Sequence, residues 1–323
     1  MDITVAGERP RLGGTRGSRG AVSGRPSTSA KRLQRRATRT GLLFISPWIV
    51  GFAAFTVYPF VASLFFSFTN YSIVSSPKWV GLANYTQLFT SGLFWRSVYN
   101  TLFYTALEVP LSTIIAVGAA LLLNMRVRGI GIYRTIFFLP SIVPAVAGSI
   151  LWMWLLNPTF GVANDVLHVV GLPSLGWIDS TTWSKPSLIF MGFWSIGTPM
   201  VIYIAALNGI PKHLYEAATL EGAGPWQRTR HVTLPMISPA LLFNGVLGLI
   251  TSLQFFTQAY VMTNGGPGNS SLFYGLYMYE EAFNYLHMGY ASAMAWLLFV
   301  VTMLATLALF RVTKRFVFYS TSR

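Results

Sequence analysis

Long apolar runs separated by short polar segments make up most of this chain. Six runs are long enough to be helices that cross a bilayer: 41–68, 98–125, 132–156, 187–207, 241–262 and 289–310. A crossing helix needs about 20 apolar residues, and all six meet or come close to that length. The pattern predicts an all-α membrane protein with six transmembrane helices. Prolines at 47, 59, 110, 140, 144 and 199 fall inside these runs and are expected to kink them. Gly118, Ala119 and Ala120 let helices approach closely where lipid supplies no hydrophobic drive. No repeat relates the two halves of the chain.

The polar segments differ in kind. Residues 1–40 carry ten of the 23 Lys and Arg against Asp2 and Glu8, are rich in Gly, Ser, Thr and Pro, and show no apolar stripe. They predict a basic, disordered N-terminal tail ahead of a membrane domain over 41–315, with a short C-terminal tail at 316–323. An Arg- and Ser-rich opening also suits a cleaved presequence, but its glycines and Pro26 oppose the amphipathic helix that needs.

Basic residues set the orientation. With six spans, both termini and the loops after spans two and four share one side, which holds 20 of the 23 Lys and Arg; Lys78, Arg96 and Lys185 lie on the other. The expectation is a multi-pass protein of the plasma membrane with both termini cytoplasmic. The net charge of +14 therefore belongs beside anionic lipid and gives no reason to expect a nucleic-acid partner.

The segment 209–239, between spans four and five, is then a cytoplasmic loop with punctuation of its own. Pro211 suits a helix start, and Leu214, Ala217, Ala218 and Glu221 share helical spacing. Gly222 and Gly224 permit the turn that ends it, and Pro225 starts a second helical piece. Within it, Glu216-Ala217-Ala218, Gly222 after Glu221, and Val232-Thr233-Leu234-Pro235 resemble the EAA loop of ABC importer permeases. Further on, Thr263-Asn264-Gly265-Gly266-Pro267 resembles a segment of the permeases that import oligosaccharides or glycerol phosphates. Glu221 stands where Asp is common, and Thr229 where an aromatic is frequent.

The resemblance implies a partnership: a second homologous permease subunit, two cytoplasmic ATPase subunits and an extracytoplasmic solute-binding protein. Glu216 would anchor the loop in a cleft of the ATPase, Ala217 and Ala218 would make close contact, Glu221 would offer further charge, and Gly222 would fix the helix exit. No cofactor is expected in this chain. ATP and magnesium belong to the partner ATPase, since no GxxxxGK[ST] loop is present. The solute implied is a di- or oligosaccharide, with glycerol phosphate or another polar solute as the alternative.

Spans four and five offer the hydroxyls, amides and aromatic faces that sugar recognition uses. Trp194, Ser195 and Thr198 lie on the first; Thr251, Ser252, Gln254, Phe255 and Gln258 lie on the second. Trp194, Ser195, Thr198, Thr251, Ser252 and Phe255 match positions lining the sugar site in the resembling maltose-type permeases, though the residue identities differ. For any one of them, helix packing is an equal reading, since Ser and Thr often bond back to their own helix.

Catalysis finds little footing. The four histidines show no metal-ligand spacing and there is no cysteine. Glu280 and Glu281 are neighbours that would point apart on a solvated helix, and Tyr274–Tyr285 is expected as a short external helix. Glu108 is the one acid inside a predicted span. It is a functional candidate by default and the only support for a proton-coupled secondary transporter; a hydrogen-bonded glutamate holding helices together is the alternative.

Overall fold

Every apolar run folds as helix, because backbone in hydrocarbon must satisfy its own hydrogen bonds. The computed structural model describes residues 28–125 and 127–314, and no strand occurs among them beyond isolated bridges in a loop at Thr69–Trp79. The first 27 residues of the predicted basic tail, and the C-terminal segment 316–323, lie outside the described residues.

The chain divides into two compact units, residues 1–60 and 61–323. In the first, α1 (Thr28–Phe52) begins well before the predicted boundary at residue 41 and continues through Pro47. A π-helical turn, Ala53–Val57, follows, in which the Tyr58 N–H reaches back to the Ala53 carbonyl. Pro59 has no N–H and crowds the carbonyl four residues earlier, so the widened turn takes up the misfit. With α2 (Tyr58–Ser67) the stretch Thr38–Ser67 is long and apolar enough to cross a membrane.

In the second unit, α3 (Ala83–Thr90) leads to α4 (Gly92–Leu123), whose first turn is capped by Ser91. Next come α5 (Ile130–Phe138), α6 (Ala145–Leu155) and the short α7 (Val162–Val169), then α8 (Ser184–Gly192) and α9 (Gly197–Asn208). The polar loop holds α10 (Lys212–Leu220), α11 (Pro225–Arg228) and α12 (Leu234–Met236). The chain closes with α13 (Ser238–Leu253), α14 (Thr257–Met262), α15 (Tyr274–Tyr279) and α16 (Met288–Thr313).

Three stretches can cross a membrane unaided: Thr38–Ser67, α4 and α16. Up to six crossings result if each of three bent helix pairs is one span. The predicted third run is the most broken, turning by 101° where a 3-10 turn at Leu139–Ile142, with Pro140 inside it, is followed by Pro144 as the cap residue of α6. The predicted fourth run bends by 46° between α8 and α9. The predicted fifth run does not reach residue 262, because α13 ends at Leu253 and the chain restarts as α14.

Helix α4 organises this unit, packing against α8, α9, α13 and α15. Leu102, Leu107, Leu111 and Ile114 are exposed, while in its first half Ser97, Asn100, Thr101 and Thr105 are buried beside Phe94 and Tyr104. Its two ends belong to separate cores. Phe94 and Tyr104 join a cluster with Leu188, Phe255, Phe273 and Met294. Ala116, Ala120 and Leu123 join another with Met200, Tyr203, Leu207 and Ile237.

The segment after α14 forms a short helix, as expected, and that helix packs inward. Tyr274, Leu276 and Tyr277 of α15 are buried, and the helix packs on α4. Fully buried Asn100 holds this segment: its Nδ2 donates to the carbonyls of Asn269 (3.0 Å) and Leu272 (2.9 Å), while its Oδ1 accepts from Lys185 Nζ (3.0 Å). Thr101 Oγ1 accepts the Tyr274 N–H (2.9 Å), and Ser184 and Ser270 share a hydroxyl contact of 2.8 Å. Glu280 and Glu281 then fall in a π-helical turn and are half-buried, not fully solvated. Burial first, and then the Glu281 charge, push the Glu280 carboxyl above its ordinary range. Glu281 Oε2 meets His287 Nδ1 at 2.8 Å.

Candidate functional site: a mid-helix cavity and an exposed loop helix

Between the two cores, beside the midpoint of α4, lies a cavity of about 400 Å³. The same spacing that buries one side of α4 delivers Tyr104, Glu108 and Ser112 to it, each one turn from the next. Gly192 of α8 faces them without a side chain; a Cβ there would stand 3.3 Å from Glu108 Cγ and 3.5 Å from the Tyr104 hydroxyl. Ser112 Oγ donates to the Val109 carbonyl (3.2 Å).

Six of the eight predicted path residues line this cavity: Ser195, Thr198, Thr251, Ser252, Phe255 and Gln258. Phe255 stacks on Tyr104 with ring centroids 4.2 Å apart and meets Phe273 edge-on at 5.0 Å. Ser195, Thr198 and Thr251 are exposed at the cavity's margin. Some of their polar groups are already engaged: Thr251 Oγ1 donates to the Leu247 carbonyl (2.8 Å), and Ser141 Oγ bridges the Ser195 carbonyl and the Thr198 N–H.

The other two stand apart. Trp194 packs edge-on against Trp152 at 6.1 Å and over Gly148 of α6. Gln254 lines a separate, more apolar groove between α13, α15 and α16. The helix break at residues 254–256 turns the neighbours Gln254 and Phe255 to different sides. Sequence reasoning missed Tyr104, Ser112, Thr113, Tyr203 and Asn244 as lining residues. The polar stripe at 97, 100/101, 104/105, 108 and 112 carried the signal, since polar residues recurring every three to four places in an apolar run mark its inward face.

The second feature is the polar loop. Pro211 is the cap residue, with α10 starting at Lys212, and Gly222 ends the helix at φ +79°, a conformation that costs other residues about 1–2 kcal/mol. Gly224, in contrast, is extended, with its N–H bound by Gln227 Oε1 (2.8 Å). The expected face is divided: Leu214 and Tyr215 pack on the second core, while Glu216, Ala217 and Glu221 are exposed and Ala218 lies between. Tyr215 Oη meets Thr233 Oγ1 at 3.0 Å, and Arg228 donates to Thr219 Oγ1 at 3.2 Å, so the two helical pieces are tied together. Leu220 is 90% and Trp226 72% exposed. Large apolar side chains bared beside a carboxylate suit a protein partner. Among the described residues, no group of three or more His, Asp or Glu could hold a metal ion.

Apolar helices around a mostly apolar cavity dotted with hydroxyls, amides and one carboxyl, with a helix pair presented from the loop between two of them, suit a membrane transport subunit. Comparison with known proteins gives the family. Residues 108–318 match the model of the binding-protein-dependent transport system inner membrane component, and the chain belongs to that family. It is 40% identical over 302 residues (92% of this chain, 97% of the relative) to a probable ABC transporter permease, YesP, of Bacillus subtilis. It is 33% identical to the lactose transport system permease LacF of Rhizobium radiobacter, over 87% of this chain and 96% of that one. Among solved structures, a bacterial ABC transporter involved in import of the acidic polysaccharide alginate matches with a TM-score of 0.77 and 25% identity, covering 88% of this chain and 99% of that one. The chain is thus the permease subunit of an ABC importer, and ATP hydrolysis resides in a separate subunit.

Proposed function

We propose that this chain forms one half of the pathway for a di- or oligosaccharide, beside a second, homologous permease, with two cytoplasmic ATPase subunits below and an extracytoplasmic solute-binding protein above. The observation that carries the reading is the cavity at the middle of α4, where six predicted path residues meet a stacked aromatic pair. At about 400 Å³ it lies in the range of small-molecule sites. Hydroxyls exposed at its rim, on helices otherwise clad in apolar residues, suit a watery path shared with the second permease. The names of the relatives, one a lactose system and one an alginate importer, support carbohydrate as the class.

With six crossings, the charge bias puts both termini and the loop bearing α10 in the cytoplasm, within reach of an ATPase. Glu216, Ala217 and the exposed Leu220 form the docking face, and Gly222 holds the exit turn. ATP and magnesium act in the partner. A phosphate-bearing solute fits less well, because no Lys or Arg lines the cavity. Membership of the family displaces the proton-coupled alternative.

The test is ATP-driven uptake by the reconstituted complex, with its binding protein, across a panel of sugars and glycerol phosphate. Uptake of a neutral sugar is expected; uptake of glycerol phosphate alone would overturn the assignment. Within this assay Phe255→Ala, which removes the cavity's aromatic wall, should lower uptake at least tenfold. Gln254→Ala, facing the other groove, should change it less than twofold. Equal loss in both would misplace the path.

A further inference from the structure

Glu108 is the single charged side chain among the described residues lining the cavity. It is the seventeenth residue of the 32 in α4, so it lies at the middle of a crossing helix. A carboxyl group there is costly unless it has a task or a partner. An ionised carboxylate has about four acceptor positions and no donor. Gly192 packs directly against it, where even a methyl group would crowd the Glu108 side chain. The groups around it are neutral hydroxyls, an amide and aromatic rings: Tyr104, Ser112, Thr113, Tyr203, Asn244 and Phe255. None of these can neutralise a negative charge brought in by a solute.

We propose that Glu108 sets which solutes the cavity accepts: its carboxylate takes hydrogen bonds from sugar hydroxyls, or from an ammonium group, and repels solutes bearing acid groups. The inference rests on the sugar-permease reading and narrows it. A sugar's adjacent hydroxyls can each donate to one carboxylate oxygen while its C–H face rests on the Phe255–Tyr104 stack. A uronate would instead bring two like charges together at one place on the path, which is selection by repulsion. On this basis the cavity is built against the acidic polysaccharide that the alginate importer carries.

Two measurements on the full complex in lipid test this. In proteoliposomes with the binding protein, Glu108→Ala should cut uptake of the imported neutral sugar at least tenfold and Glu108→Gln by less. Binding-protein-stimulated ATP hydrolysis should stay within twofold of the unaltered complex. Gly192→Ala, which presses on Glu108 without removing it, should act in the same direction. Loss of the stimulated ATPase along with uptake would make Glu108 a structural residue, and undiminished uptake in Glu108→Ala would also overturn the proposal.

The second measurement needs no knowledge of the imported sugar. A hydrophobic carbodiimide should label Glu108, read by peptide mass spectrometry, in the complex without binding protein. Lactose, cellobiose or trehalose at high millimolar concentration should slow labelling several-fold, and digalacturonate should not. Protection by digalacturonate, or by none of the sugars, would refute the charge selection. If the unaltered complex imports no sugar at all, the functional reading of the preceding section fails instead, and labelling still reports on the charge selection.

Discussion

Glu216→Lys should leave the protein folded in the membrane and strip the ATPase from it. Glu216 is exposed on the outer side of α10, whereas Leu214 and Tyr215 hold that helix to the core. The substitution therefore spares every contact that positions the loop. Placing a like charge where an opposite one is expected at a protein interface costs several kcal/mol. Each 1.4 kcal/mol is tenfold, so affinity for the ATPase should fall by roughly a hundredfold or more. Co-purification in mild detergent, quantified against the unaltered chain, measures the loss. An ATPase recovered in normal yield with the lysine variant would remove α10 from the interface.

Asn100→Ala should be the most damaging small change to the fold. One buried amide satisfies two backbone carbonyls and a lysine ammonium. Removing it strands the buried Leu272 carbonyl and unties the part-buried Asn269 carbonyl and Lys185, and a buried group left stranded costs about 1–3 kcal/mol. A loss of about 1–3 kcal/mol is expected, seen as a lowered unfolding temperature in detergent and protease sensitivity at residues 263–273. Lys185→Ala removes only one of those bonds and should cost about a third as much. Equal effects of the two would show that Lys185, through its place over the Tyr99 and Phe103 rings, and not the amide, secures the segment.

Which parts of this molecule were legible in its sequence follows from the range of the forces involved. Hydropathy placed the apolar runs, because desolvation is summed over some twenty residues and tolerates local irregularity. It could not show that the third run turns by 101° or that the fifth stops at Leu253. Those breaks come from prolines and tertiary contacts that leave mean hydropathy unchanged. The loop was legible at Gly222, where a positive φ selects glycine, but not at Gly224, which takes an extended conformation open to other residues. For the cavity, runs four and five contributed most of the lining, while α4's share stayed hidden in an apolar context where only Glu108 stood out. Phe255 and Gln254 part company because of a three-residue break that no periodic pattern records.

One position on α4 has a mechanical meaning. Pro110 stands two residues past Glu108 and lacks the N–H that would bind the Ala106 carbonyl, so the helical ladder misses a rung beside the cavity. Above and below, the same helix is clamped by the two cores. A rod gripped at both ends and thinned in the middle concentrates its flexure at the thin place. Force applied to either end of α4 is therefore delivered as a change in curvature at the cavity wall, where Glu108 stands.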